Sequence, residues 1–245
     1  MDTRRNLLKK KQRVVIKIGS SSLQHTETGD MDYIRLEVLV RELCNLKNQG
    51  KDVVLVSSGA IAQGKKAVHL TPALGGQKRP QTISEKQAYA AVGQARLMMT
   101  YQKIFAEYNQ VTAQILMTRQ TISNDTNRIN AQNTFEELFR MGVIPIVNEN
   151  DTISVTELMF TDNDELSGLI ATMMNADTLI ILSNVNGIYT GNPADPNSQL
   201  LPQIIPGKQD LEAYIQSGKS SFGRGGMLTK CKIACQVAEE GIEVI

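Results

Sequence analysis

A chain of 245 residues, 41% apolar and with a formal net charge of +1, holds enough material for one large α/β domain, and it has no charge excess that would mark it for nucleic acid. No apolar run reaches membrane-spanning length, and residues 1–12, basic at Arg4, Arg5, Lys9, Lys10 and Lys11, lack the apolar centre of a secretion signal. Cys44, Cys231 and Cys235 form no even framework, and no histidine lies near the last two, so reduced, buried or idle thiols in a cytoplasmic protein are expected rather than a zinc site.

After the basic arm, Arg13-Val14-Val15-Ile16-Lys17-Ile18 is a β-branched run of the kind buried on both faces of a parallel sheet. Lys17 near its carboxyl end either snorkels or meets a partner or substrate, and Gly19 permits a close approach to the backbone. Residues 32–48 have a helical apolar rhythm stopped by Gly50. Val53-Val54-Leu55-Val56 is the next buried strand, ending in Ser57-Ser58-Gly59. That strand–helix–strand unit implies parallel pairing through a right-handed crossover. Residues 70–80 read as a loop, and residues 84–108 as a long core or subunit-contact helix. A third strand is expected over residues 111–117 and a helix over 124–139. The strand over 143–147 runs into Asn148-Glu149-Asn150-Asp151, and an apolar helix spans 166–174. A further buried strand over 177–182 ends in Ser183-Asn184-Val185-Asn186. A short strand and a helix follow within residues 200–217. Ser220 to Lys230 then reads as a glycine-rich loop opening a helix over residues 230–240, and a last strand begins at Ile242.

The unusual stretch lies between Asn148 and Asp164, where five acids and three asparagines collect at the end of one element and the start of another. It is either an acidic surface loop with Asp162 at a helix N-terminus, or a site holding an ammonium group, lysines or a metal. The glycine-rich loop is not a Walker A sequence. It is either a flexible loop or a phosphate cradle of free N–H groups, a helix N-terminus and Lys230. Two lysines, two hydroxyl–glycine strand ends, an acidic segment and a glycine loop all converge on one sheet edge. Phosphoryl transfer uses that inventory: cations for the moving charge, an acid to order them, and donors for the β-phosphate.

In order and spacing, V-V-I-K-I-G-S-S, L-V-S-S-G-A-I-A-Q-G, A-A-V-G-Q-A-R-L, V-N-E-N-D, T-D-N-D-E-L-S and G-G-M-L-T-K resemble the amino acid kinase family. Within it they resemble the branch that phosphorylates glutamate at the head of proline biosynthesis. The resemblance implies a three-layer αβα sandwich around a mainly parallel sheet, with a kinase domain over residues 13–245 and a basic arm over 1–12. Many relatives carry a C-terminal PUA domain, for which this chain is expected to have no room. The implied reaction is ATP-dependent phosphorylation of the γ-carboxylate of L-glutamate. Lys17 and Lys230 would stabilise the transferring phosphoryl group and Asp164 would position them. Ser58, Asn148, Asp151 and Asn163 would bind glutamate. Lys17, Ser183, Asn184, Arg224, Gly225, Gly226, Met227, Leu228, Thr229 and Lys230 would contact ATP, with Mg²⁺ as the nucleotide's companion rather than in a protein metal site. Proline is implied as a feedback inhibitor, closed over by residues 151–161, and a homo-oligomer (dimer or tetramer) as the assembly. Two departures bear on the nucleotide. Asn184 and Asn186 stand where the family usually has acids, and Arg224 stands where it commonly has Thr. A sibling kinase for another small acid, or a non-catalytic amino acid or nucleotide sensor, remains open.

Overall fold

The computed structural model describes residues 8–25, 27–69, 82–154, 163–208 and 224–245. The loop expected over residues 70–80, most of the 151–161 segment with Asp162, the second half of the 200–217 segment in which a short strand and a helix were expected, and the first part of the glycine-rich stretch lie outside the described residues.

Among the described residues six strands form one sheet: β1 (Arg13–Ile18), β2 (Asp52–Ser57), β3 (Thr112–Met117), β4 (Ile144–Glu149), β5 (Thr178–Leu182) and β6 (Glu243–Val244). Their order is β3-β4-β2-β1-β5-β6 and every pairing is parallel. Lys17 is level with Val56 on one side and Ile181 on the other. The chain leaves β1 for β2 in one direction and β5 for β6 in the other, which makes the β1/β5 junction a switch point where ligands gather at the carboxyl edge.

Seven α-helices accompany the sheet among the described residues: α1 (Tyr33–Asn48), α2 (Ala60–His69), α3 (Ile83–Glu107), α4 (Arg119–Ser123), α5 (Asp125–Arg140), α6 (Asn163–Met173) and α7 (Arg224–Glu239). The strand alternation divides the core in two. Val14, Ile16, Ile18, Val53, Leu55, Ile144 and Ile146 face α1 and α3, burying Leu36, Val40, Leu97, Tyr101 and Phe105. Val15, Val54, Val56, Val147 and Leu179 face α5, α6 and α7, burying Phe135, Leu166, Ile170 and Val237. This is the three-layer sandwich expected, with period-2 strands buried on both faces.

Two helix contacts depend on glycine. A Cβ on Gly93 of α3 would fall 1.7 Å from the Ala60 carbonyl oxygen, and one on Gly64 of α2 would fall 1.7 Å from the Tyr89 carbonyl oxygen. Glycine at both places lets α2 and α3 touch backbone to backbone. The helix α2 itself was not expected from the sequence. Likewise, a Cβ on Gly168 of α6 would lie 2.8 Å from Ile233 Cγ2 of α7.

The glycine-rich stretch departs from expectation. The helix begins at Arg224 and not at Lys230, so Gly225 to Thr229 form its opening turns. Two adjacent glycines argue against a helix by about 1 kcal/mol each relative to Ala, but the packing of α7 on α6 through Gly168 outweighs that local preference. Residues 8–12 are also less arm-like than expected. Lys51, only 5% exposed, donates to the carbonyl of Lys9 at 2.8 Å and also to that of Lys11. The N–H groups of Gln12 and Arg13 donate to Asp177.

Candidate active site

Asp164 sits in the first turn of α6, where the helix dipole favours a carboxylate, and it is fully buried. One carboxylate oxygen lies 2.5 Å from Lys17 Nζ of β1, and the other accepts from Lys230 of α7. Lys17 is 4% exposed, so its ammonium is held well inside the edge. A buried cation needs such a partner. Two ammonium groups around one carboxylate leave a local charge of +1, in surroundings where charge is weakly screened. That suits an incoming polyanion.

Beside this cluster, three carboxamides and a hydroxyl interlock. Asn163 Nδ2, one residue before Asp164, donates to Ser58 Oγ at 2.9 Å, to Asn148 Oδ1 at 2.9 Å and to the Ser57 carbonyl at 3.2 Å. Asn148, at 3% exposure, donates through Nδ2 to Gln94 Oε1 of α3 at 2.8 Å. Ser57 and buried Tyr101 share a hydroxyl–hydroxyl bond of 2.7 Å, and burial pushes the Tyr101 phenol well above its ordinary range. Gln87, two turns before Gln94, donates to the Ser154 carbonyl at 3.2 Å. Arg119 of α4 pairs with Glu165 of α6 at 2.6 Å.

Asp151 does not join that set. It lines a cavity of about 270 Å³ together with Gln94, Gln114, Glu149, Asn150 and Thr152. Burial, and secondarily the neighbouring Glu149 carboxylate, pushes its carboxyl up to about 6. Ser183 and Asn184 are exposed just past β5, bonded to each other at 3.4 Å. A larger, shallow depression of about 650 Å³ opens at the amino edge beside Asp52, Glu136 and Arg140. Its charges are already paired, Arg13 with Asp52 and Glu136, and Arg140 with Glu137.

Of the residues expected from the sequence, Lys17, Asp164 and Lys230 meet in one cluster, and Ser58, Asn148 and Asn163 in another next to it. Gln94, Gln87, Tyr101 and Ser57 were not expected there. The available signal was a pair of glutamines seven residues apart on one face of an alanine-rich helix. Cys44 and Cys231 are buried, as expected, and Cys235 is partly buried. Burial raises Cys44 to about 11 and Cys231 to about 12.

A parallel αβα sandwich with two lysines on a buried carboxylate at its carboxyl edge has the charge and shape to receive a phosphoryl group. The chain belongs to the amino acid kinase family, whose model matches residues 12–245. It is 48% identical over 233 residues to the glutamate 5-kinase of Bacteroides thetaiotaomicron, covering 95% of this chain and 62% of that protein. It is 44% identical to the glutamate 5-kinase of Clostridium acetobutylicum, covering 100% of this chain and 90% of that one. The chain thus spans less than two thirds of the first relative's length and nearly all of the second's. Among solved structures, the carbamate kinase of Giardia lamblia bound to AMP-PNP superposes with a TM-score of 0.63 at 18% identity, covering 94% of this chain and 90% of that one. The UMP kinase of Ureaplasma parvum gives 0.62 at 16%, covering 96% and 88%. At such identities these two speak for the fold alone.

Proposed function

We propose that the chain transfers the γ-phosphoryl group of ATP to the γ-carboxylate of L-glutamate, giving ADP and L-glutamyl 5-phosphate, the opening reaction of proline biosynthesis. The observation that carries this reading is Asp164 holding Lys17 and Lys230 immediately beside the Ser58–Asn163–Asn148 set. A carboxylate oxygen of glutamate forms its bond to the γ-phosphorus as the bond to the bridging oxygen of ADP breaks. No proton moves, because the acceptor is already an anion. Catalysis then rests on position and charge: Lys17 and Lys230 offset the charge spread over the moving group, and Asp164 keeps the two cations together. Ser58, Asn148 and Asn163 orient the acceptor, and Asp151 with Glu149 supplies negative charge for its ammonium group.

Nucleotide contacts fall to Ser183, Asn184 and residues 224–230. The leading N–H groups of a helix beginning at Arg224 lack intrahelical acceptors and suit phosphate oxygens. The neutral oxygens of Ser183 and Asn184 fit a Mg²⁺ ion that arrives already held by phosphate and water. When bound, that ion supplies charge neutralisation on the β- and γ-phosphates. Proline, which carries the same α-ammonium and α-carboxylate as glutamate, is proposed to compete at the acceptor subsite. A cytoplasmic homo-oligomer completes the reading. No helix among the described residues is long and apolar enough to cross a membrane.

The test is ADP release with glutamate, aspartate, acetylglutamate and UMP as acceptors, repeated for glutamate at several proline concentrations. Turnover is expected with glutamate alone, and proline is expected to raise the glutamate KM. Preference for another acceptor overturns the substrate assignment. Insensitivity to millimolar proline overturns the inhibitor assignment.

A further inference from the structure

We infer that Gln94 of α3 is a positioning residue for the acceptor subsite, holding the Asn148 and Asn163 carboxamides in the orientation that two backbone groups dictate. The inference rests on the proposed acceptor role of those two asparagines. Carboxamide oxygen and nitrogen differ little in size, so their orientation must follow from neighbours that cannot be exchanged. Two such neighbours stand along this chain of bonds. The Glu149 backbone N–H, which only donates, meets Asn148 Oδ1 at 2.9 Å. The Ser57 carbonyl, which only accepts, meets Asn163 Nδ2 at 3.2 Å. With Asn148 Oδ1 thus committed, its Nδ2 must find an acceptor, and Gln94 Oε1 at 2.8 Å provides it. Asn148 is almost fully buried, so without Gln94 its N–H group would be stranded or the carboxamide would turn over. A turned Asn148 would present N–H to the N–H groups of both Asn163 and Glu149. Asn163 would be released from its bond, at the residue adjoining Asp164. Gln94 also lines the cavity shared with Glu149 and Asp151, which ties the orientation of the asparagines to that cavity's wall.

The test is steady-state kinetics of the full chain as wild type, Gln94→Leu, Gln94→Glu, Asn148→Ala and the Gln94→Leu/Asn148→Ala double variant. Gln94→Leu is expected to raise the acceptor KM roughly tenfold or more, with kcat and the ATP KM moving less than about threefold. Gln94→Glu retains the accepting oxygen and is expected to stay within about threefold of wild type in acceptor KM. In the Asn148→Ala background, Gln94→Leu is expected to add nothing further. Multiplying effects in the double variant, a parallel rise in the ATP KM, or a lowered Tm with unchanged acceptor KM each overturn the inference. If Gln94→Leu does not fold, Gln94→Glu decides: a folded variant whose acceptor KM rises more than about tenfold also overturns it. Glutamate turnover by the wild type, measured first, judges the proposed function separately. The variants are compared on whichever acceptor the wild type phosphorylates, or by calorimetric glutamate affinity if it phosphorylates none.

Discussion

Replacing Asp164 with asparagine keeps the side chain's shape and removes its charge. In the wild type the carboxylate is fully buried and contacts two ammonium groups, one of them on a 4% exposed lysine. Asp164→Asn leaves two cations facing each other with no counter-charge between them. Breaking a buried pair by neutralising one partner costs about 3–5 kcal/mol. At roughly 2–4 °C per kcal/mol for a domain of this size, Tm falls by about 6–20 °C. The catalytic cost is a separate quantity. The lysines act on charge that develops in the transition state, and their displacement is expected to lower kcat by roughly 10²–10³. An ADP-release assay at saturating ATP and glutamate, below the variant's Tm, isolates that loss from unfolding. A folded variant with kcat within about threefold of wild type would refute the idea that Asp164 organises the two lysines.

Lys17→Ala and Lys230→Ala are each expected to lower kcat by roughly 100-fold or more, with a smaller change in KM; an effect on KM alone, seen in full saturation curves, contradicts the assigned role. Asn163→Ala, which removes the group bonded to Ser58 and Asn148, is expected to raise the glutamate KM about tenfold while kcat changes less, unlike Asp164→Asn. Asp151 contributes a pH dependence whose sign follows from its raised carboxyl. Between the unfolded value of 3.8 and about 6 the folded state binds more protons than the unfolded state. Stability attributable to this residue is therefore present at low pH and lost as pH rises through that window. Asp151→Asn should accordingly be more stable than wild type at pH 7 but not at pH 4 in denaturant titrations, and the wild-type glutamate KM should rise as pH falls through about 6. Gly93→Ala would drive a methyl group to within 1.7 Å of the Ala60 carbonyl oxygen, and is expected to cost at least about 2 kcal/mol in urea titrations.

Much of the architecture was legible in the residues themselves. Buried parallel strands announce themselves by unbroken β-branched runs, and β1, β2, β4 and β5 lie close to where those runs placed them. Hydroxyls, glycines and a lysine at strand ends likewise pointed to the carboxyl edge, because parallel order brings all those ends to one side. The departures arose where local preference and tertiary packing disagree. Gly225 and Gly226 read as loop, yet α7 begins at Arg224 because its later turns are held against Gly168. The helix α2 was hidden because Gly64 speaks against a helix until the close approach of Gly93 is known.

The grouping of Lys17, Asp164 and Lys230 was implied by the family resemblance, but the bonds themselves and the other side-chain partnerships could be settled only by the tertiary structure. Lys230 reaches an aspartate 66 residues away, Asn163 a serine 105 away, and Gln94 an asparagine 54 away. Periodicity records which face a residue occupies, so the sequence determined that Gln94 would lie on a helix and Asn148 at a strand end. It does not record which two elements are brought within hydrogen-bond distance. That depends on the β3-β4-β2-β1-β5-β6 order and on the backbone contact of α2 with α3. Carboxamide orientation is more remote still from sequence, because it is fixed by the Glu149 N–H and the Ser57 carbonyl, backbone groups that every residue but proline carries alike.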